Sequence, residues 1–170
     1  MLLLKFLQTL FKALSSDGTP GQVAAGMALG LALGLTPIAS LHNALVFAIA
    51  MLTTVSFPGF TLGWAIAVPV GFALDPLFHR VGMALLLRDD LAPFFTWVVN
   101  TPIVAWSRLN NSIVLGSLVC WLVVAIPAFF AFRVGVARYR DRVHAHLERL
   151  KVVQAVKASK LWNLIQLFVP

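Results

Sequence analysis

Residues 112–132, SIVLGSLVCWLVVAIPAFFAF, run 21 residues without a charge, and RVGVARYRDR follows at once over 133–142. A helix of that length covers the roughly 30 Å hydrocarbon core of a bilayer at about 1.5 Å per residue. The arginines behind it read as a cytoplasmic anchor, because short loops rich in Lys and Arg stay on the cytoplasmic side. A buried core helix of a soluble protein is the competing reading, and the rest of the chain argues against it. The sequence is 60% hydrophobic and 11% charged, where a soluble domain carries about 25% charged residues. Its mean hydropathy of +0.91 agrees. The expectation is an all-α fold: a small polytopic membrane protein with short or re-entrant helices and an amphipathic cytoplasmic C-terminal helix.

The net charge of +7 would suggest nucleic acid in a soluble protein. Here eight of the thirteen Lys and Arg lie from Arg133 onward, just past a spanning segment. Orientation and contact with anionic headgroups account for them, so no nucleic-acid partner is expected. The lone Cys120 sits inside the span and implies no disulfide.

Moving upstream, residues 88–111, RDDLAPFFTWVVNTPIVAWSRLNN, do not form a span. Arg88, Asp89 and Asp90 cap the start, and Pro93 and Pro102 interrupt the segment. Phe94, Phe95, Trp97 and Trp106 supply the aromatic side chains favoured at headgroup level. One or two interfacial helices on the periplasmic side are expected. Before them, residues 60–87 are apolar but contain Pro69, Asp75, Pro76, His79 and Arg80. One long kinked helix and two half-helices both fit; the expectation carried forward is a break near Asp75 and Pro76. Asp75 and His79, spaced i, i+4, would share a helix face and interact. Ionisable groups at membrane depth mark functional sites by default, whereas at the interface they carry no such meaning.

Further upstream, GQVAAGMALGLALGL over 21–35 is apolar but shorter than a span. Thr36 and Pro37 end it, and a second apolar piece over 38–55 opens with His42 and Asn43. Two short helices around a Pro corner fit a re-entrant hairpin over 21–55; two complete, tightly turned spans are the alternative. Either leaves the chain on its starting side. Gly26, Gly30 and Gly34 form a small-residue ladder suited to close packing, within the chain or against another. At the N-terminus, residues 1–16 place Leu3, Leu4, Phe6, Leu7, Leu10, Phe11 and Leu14 at helical spacing, which predicts an interfacial amphipathic helix rather than a cleaved signal. The far end, 133–170, is a basic cytoplasmic tail with a helical stripe of Val143, Leu147, Leu150, Val153 and Val156.

Motifs for catalysis are missing. His144 and His146 are one residue apart and cannot share a helix face as metal ligands. No phosphate loop, nucleophile elbow or paired-carboxylate site occurs. The expectation is no enzyme activity, no metal and no cofactor.

GMALGLALGLTPIASLHNALVFAIAML, over 26–52, resembles the core of a bacterial inner-membrane family known as domain of unknown function 2062. Gly30, Gly34, Pro37, Leu41 and His42 match its pattern of a Gly-rich short helix, a Pro corner and a stretch opening with His. Many members have an Asn-Pro pair where this chain has Val68 and Pro69. The strings LDPLFHRVG and SRLNNSIVLGSL, which hold Asp75, Pro76, His79, Asn110 and Asn111, resemble a narrower subgroup. That subgroup is similar to proteins encoded beside a long AsmA-like envelope protein of the bridge-like lipid-transport class. The resemblance implies an inner-membrane location and a larger envelope partner; Lys5 and Lys12 near the start and the eight basic residues past Phe132 predict a multi-pass chain with both termini cytoplasmic.

Two functional readings follow. One is an accessory subunit that partners a periplasm-spanning protein in phospholipid transport. The other is an autonomous lipid flippase or transporter with a midmembrane polar site. Thr36, His42, Asn43, Asp75, His79 and Arg80 are the candidates for contact with a substrate or lipid headgroup. Gly26, Gly30, Gly34, Trp97, Trp106, Asn110 and Asn111 are the candidates for a partner interface. Membrane lipids are expected partners in either case, and a homo-oligomer is compatible with both.

Overall fold

The computed structural model describes residues 18–149, with side chains as far as 142. The interfacial helix expected over 1–16, and the apolar stripe and end of the basic tail, lie outside the described residues or side chains. The described residues are helical without strands, as the apolar periodicity predicts. In chain order the helices are α1 (Pro20–Leu35), α2 (Leu41–Leu52), α3 (Phe57–Leu86), a 3-10 turn (Asp89–Leu91), α4 (Ala92–Asn100), α5 (Pro102–Ala105) and α6 (Ser112–Arg149). The described residues up to Val136 form one compact unit. A second unit begins at Ala137; its described part is the end of α6, bearing Arg138, Arg140 and Arg142.

Local chemistry sets the helix ends. Thr19 and Gln22 form a reciprocal capping box, with Gln22 N–H donating to Thr19 Oγ1 at 3.2 Å and Thr19 N–H donating to Gln22 Oε1 at 2.7 Å. Pro20 follows in the first turn, where its missing N–H costs nothing. The other end of α1 stops at Thr36 because the next residue is Pro37, which disfavours helical backbone before it. Thr36 then satisfies the last turn twice, through its N–H and its hydroxyl, both donating to the Ala32 carbonyl. At the start of α3, Ser56 Oγ accepts the Gly59 N–H at 3.2 Å.

Two interlocked glycine ladders hold α1 against α3. Gly26, Gly30 and Gly34 of α1 meet the α3 backbone at Ser56, Phe60 and Trp64; Gly59, Gly63 and Gly71 of α3 meet the α1 backbone at Val23, Met27 and Gly34. The partners ascend together, so the helices run parallel. A Cβ at Gly34 would lie 2.7 Å from the Trp64 carbonyl oxygen, and one at Gly71 2.6 Å from that of Gly34. No side chain fits between these backbones. The Ser56 N–H donates to the Gln22 carbonyl at 3.1 Å, which ties the start of α3 to the first turn of α1. The chain therefore goes out along α1, returns along α2 and starts again beside its origin, a path common to the hairpin and the two-span readings. The ladder is consumed inside the chain. This corrects the assignment of Gly26, Gly30 and Gly34 to a partner interface: the matching small-residue face of α3 lies in the same molecule.

The expected break near Asp75 and Pro76 is also corrected. Helix α3 runs continuously through Pro69 and Pro76. Each proline removes one N–H, and an apolar surrounding penalises a break, which would free several more backbone groups. At its far end α3 packs antiparallel on the start of α6. Gly82 meets Ser112 and Gly116 meets Phe78, again backbone to backbone.

The core is small and lies around these contacts. Val23, Met27, Leu62 and Val136 form one cluster; Ala32, Leu33, Val46, Ala50 and Phe60 form another, with Trp64 and Trp121 packed on it. The Trp121 indole N–H donates to the Ala28 carbonyl at 2.9 Å and links α6 to α1. Large apolar side chains elsewhere are uncovered, including Leu45, Ile49, Met51 and Leu52 on α2 and Leu122, Val123, Ile126 and Phe130 on α6. Helices α3 and α6 are both long and apolar enough to cross a bilayer. Uncovered apolar surface on helices of that length is a lipid-facing surface, and the protein is a membrane protein.

Candidate functional site

Five residues between α1 and α2 make the corner at which the site is built. Thr36 and Asn43 are buried there, at 4% and 3% exposure. The Asn43 amide nitrogen donates to the Pro37 carbonyl at 3.0 Å and lies 3.5 Å from that of Thr36. One side chain thus ties down carbonyls that the turn leaves without helical partners. Ser40 Oγ lies 3.3 Å from the Pro37 carbonyl and 3.1 Å from His42 Nε2. His42 Nδ1 and Asn43 Oδ1 are buried without a hydrogen-bond partner. The corner packs on α3 near Gly71, midway along that helix. The uncharged part of α3, residues 57–74, is about 27 Å long and ends just beyond this level.

Two hollows flank the corner. The larger, about 800 Å³, lies between the hairpin and residues 105–108; Leu33, Phe47, Trp64 and Trp106 supply apolar walls, with Ser40, Asn43 and Arg108 as the polar members. The Leu41 N–H donates to the Trp106 carbonyl at 3.1 Å, which pins the interfacial segment to the start of α2. The smaller, about 290 Å³, is bounded by Thr36, Pro37, Gly71, Phe72, Asp75 and Ile113.

Of the residues selected from sequence, Thr36, His42 and Asn43 come together at the corner, and Asp75 lines the smaller hollow beside it. His79 and Arg80 do not join them; both are exposed on the next turn of α3. The expected Asp75–His79 contact is not made. His79 Nδ1 pairs with Ser112 Oγ at 2.7 Å instead. Close packing at Gly82 and Gly116 brings the N-terminus of α6 within reach of His79, while Asp75 faces the corner. Their i, i+4 spacing permits contact, but the neighbouring helix decides it.

Residues 89–105 are mostly helical, as expected, and Trp97 and Trp106 are more than half exposed. Asn111 has a different role from the partner contact assigned to it: its Oδ1 accepts the N–H groups of Ile113 and Val114 at 3.0 and 3.2 Å, so it caps α6. Asn110 is exposed. Arg88 sits at the N-cap of the 3-10 turn with Asp89 and Asp90 in its first turn, as expected, but no side-chain capping bond forms; Asp90 makes a forked ion pair with Arg88 at 2.7 and 2.9 Å. The Arg88 hydrogen bond holds the Asp90 carboxyl below the usual carboxylate range and raises the arginine's own pKa.

Trp64 and Arg108 are the site residues that sequence reading missed. Trp64 is embedded in an apolar run, with nothing to distinguish it from core. Arg108 is an isolated cation among interfacial aromatics, which is a signal, but its backbone φ of 53° and its place in the cavity wall have no local signature. The groups gathered at the corner are one cation, an imidazole paired with a serine hydroxyl, a few buried polar atoms and apolar walls. Among the described residues no group of His, Cys, Asp or Glu is placed to hold a metal ion.

The chain is 25% identical to an uncharacterised protein of Treponema pallidum (strain Nichols), an alignment covering 94% of this chain and 98% of that one. No solved structure matches. The family described as uncharacterised protein conserved in bacteria, DUF2062, matches residues 4–145, and the chain belongs to it.

Proposed function

We propose that this protein is an inner-membrane accessory subunit that handles phospholipid together with a larger, AsmA-like envelope protein spanning the periplasm. The observation that carries the reading is the larger hollow at the hairpin corner. It is amphiphilic, adjoins uncovered apolar helix surface, and is framed by the aromatic side chains of Phe47, Trp64 and Trp106. A groove of that composition suits one end of a lipid. In this reading α3 and α6 cross the bilayer and the hairpin returns to its starting side. Both termini are cytoplasmic and residues 88–111 are periplasmic. The arginines of α6 past residue 132 support that orientation. The partnership rests on the sequence resemblance to a subgroup encoded beside AsmA-like proteins.

The two glycine ladders also bear on the choice between readings. They seal α1 to α3 without a gap, so a lipid path through the centre of a single chain has no room there. An accessory role, with the path completed by a partner, is therefore preferred to an autonomous flippase. Gentle extraction from native membranes, followed by mass spectrometry of the intact assembly, tests it. A stoichiometric complex with a large envelope protein is expected. A homo-oligomer that moves lipid unaided in reconstituted vesicles would replace the proposal with the flippase reading. Impermeant labelling of Arg140→Cys in intact cells would refute the orientation.

A further inference from the structure

We infer that the hollow between the hairpin corner and residues 105–108 is a binding site for one glycerophospholipid, with the phosphodiester on Arg108 and an acyl chain along Leu33 and Phe47. The inference rests on the lipid-handling reading and names its ligand. Arg108 is the cation in the cavity wall, and no carboxylate accompanies it among the described residues that line the hollow. It makes no ion pair with any of them. A guanidinium without a counter-anion, beside an apolar groove, is suited to a phosphodiester, whose oxygens match its planar fork. The Arg108 backbone is in the left-handed region, sparsely occupied by side-chain-bearing residues, so the chain accepts an unfavoured conformation at this position.

Two further side chains of the wall have unused hydrogen-bonding capacity. Asn43 is almost wholly buried, with Oδ1 unpartnered, and the Trp64 indole N–H is also buried and unpartnered. Buried polar atoms are nearly always paired in a native assembly. Both atoms are covered while the hollow is empty, so a bound lipid meets them only once the wall gives way: the Trp64 N–H then takes an ester carbonyl or phosphate oxygen, and Asn43 Oδ1 takes a donor. Phosphatidylethanolamine and phosphatidylglycerol carry headgroup donors; phosphatidylcholine carries none. The site should therefore select a donor-bearing headgroup. The apolar walls exclude free phosphate as the natural occupant, because it would bury those walls against nothing.

Native mass spectrometry of the full chain, extracted in mild detergent and given equal amounts of phosphatidylethanolamine, phosphatidylglycerol and phosphatidylcholine, tests this. One lipid of the first two classes should remain bound under activation that strips the rest. Arg108→Ala should reduce its retention about tenfold or more, as expected for loss of a charged hydrogen-bonding partner. Ala44→Phe, which fills the hollow from an exposed position of α2 and leaves every polar group in place, should also lower retention. Millimolar inorganic phosphate should not displace the lipid. Retention unchanged in both variants, or equal retention of phosphatidylcholine, overturns the site. Displacement by inorganic phosphate shows an anion site without a lipid and overturns it too. None of these results depends on whether an envelope protein co-purifies, so this site and the partnership can fail separately.

Discussion

Gly30→Ala is the sharpest test of the packing. A Cβ at this position would land on the Phe60 carbonyl oxygen and lie 2.7 Å from the Trp64 nitrogen. Both obstacles are backbone atoms of α3, so no rotamer change relieves them; the helices must separate. Parting them disturbs Gly26 and Gly34 on one side and Gly59 and Gly63 on the other, all in backbone contact. Overpacking of a tight core costs about 1–3 kcal/mol, and the rigidity of these obstacles puts this site at the upper end. Alanine returns about 1 kcal/mol of helix propensity. The net loss should be about 2 kcal/mol. Gly135→Ala is the control: its Cβ meets nothing within 4 Å, so only the propensity gain of up to about 1 kcal/mol remains. The two variants should thus differ by about 3 kcal/mol. Unfolding from mild detergent by added dodecyl sulfate, followed by tryptophan fluorescence, measures the difference. A Gly30→Ala protein as stable as Gly135→Ala would refute the interlocked-ladder account.

Three further outcomes are expected. Asn43→Leu should destabilise the chain by about 1–3 kcal/mol, because it leaves corner carbonyls buried without a donor; the same sulfate titration reads it. A double-mutant cycle between His79→Ala and Ser112→Ala should give a coupling of about 0.5 kcal/mol or more, whereas His79→Ala and Asp75→Asn should be additive within about 0.5 kcal/mol. Finally, Asp90 should titrate below the ordinary carboxylate range, and Arg88→Ala should move it back up. Since the folded pKa is the depressed one, the contact contributes above the ordinary range and is lost as pH falls through the lower folded value. Carboxyl carbon chemical shifts across a pH series measure it, and a titration unmoved by Arg88→Ala would disprove the cause.

Much of the architecture was legible in the sequence, because its determinants are local. An uncharged run of 21 residues before a basic segment is enough to specify a spanning helix. Thr36 and Pro37 mark the end of α1 through groups that act within one turn, and Thr19, Pro20, Ser56 and Pro58 act in the same local way at the starts of α1 and α3. The ladder on α1 was also readable, at a spacing of four residues. Its complement, Gly59, Gly63 and Gly71 on α3, had the same kind of signal and went unread.

What only the tertiary structure decided is which surfaces meet. A glycine face specifies close approach without naming what approaches, so sequence alone left Gly26, Gly30 and Gly34 open to a partner; the parallel return of α3 resolved it. His79 and Asp75 have the right spacing to pair, yet Ser112 takes His79 because α6 arrives within hydrogen-bonding distance. Arg108, Trp64 and Asn43 come from three separate segments and share a cavity where α2 and α3 pack on α1 and the Trp106 carbonyl accepts the Leu41 N–H. Helix ends follow from hydrogen bonds closed within a few residues. Sites follow from backbone contacts between residues far apart in sequence, whose positions no local pattern encodes.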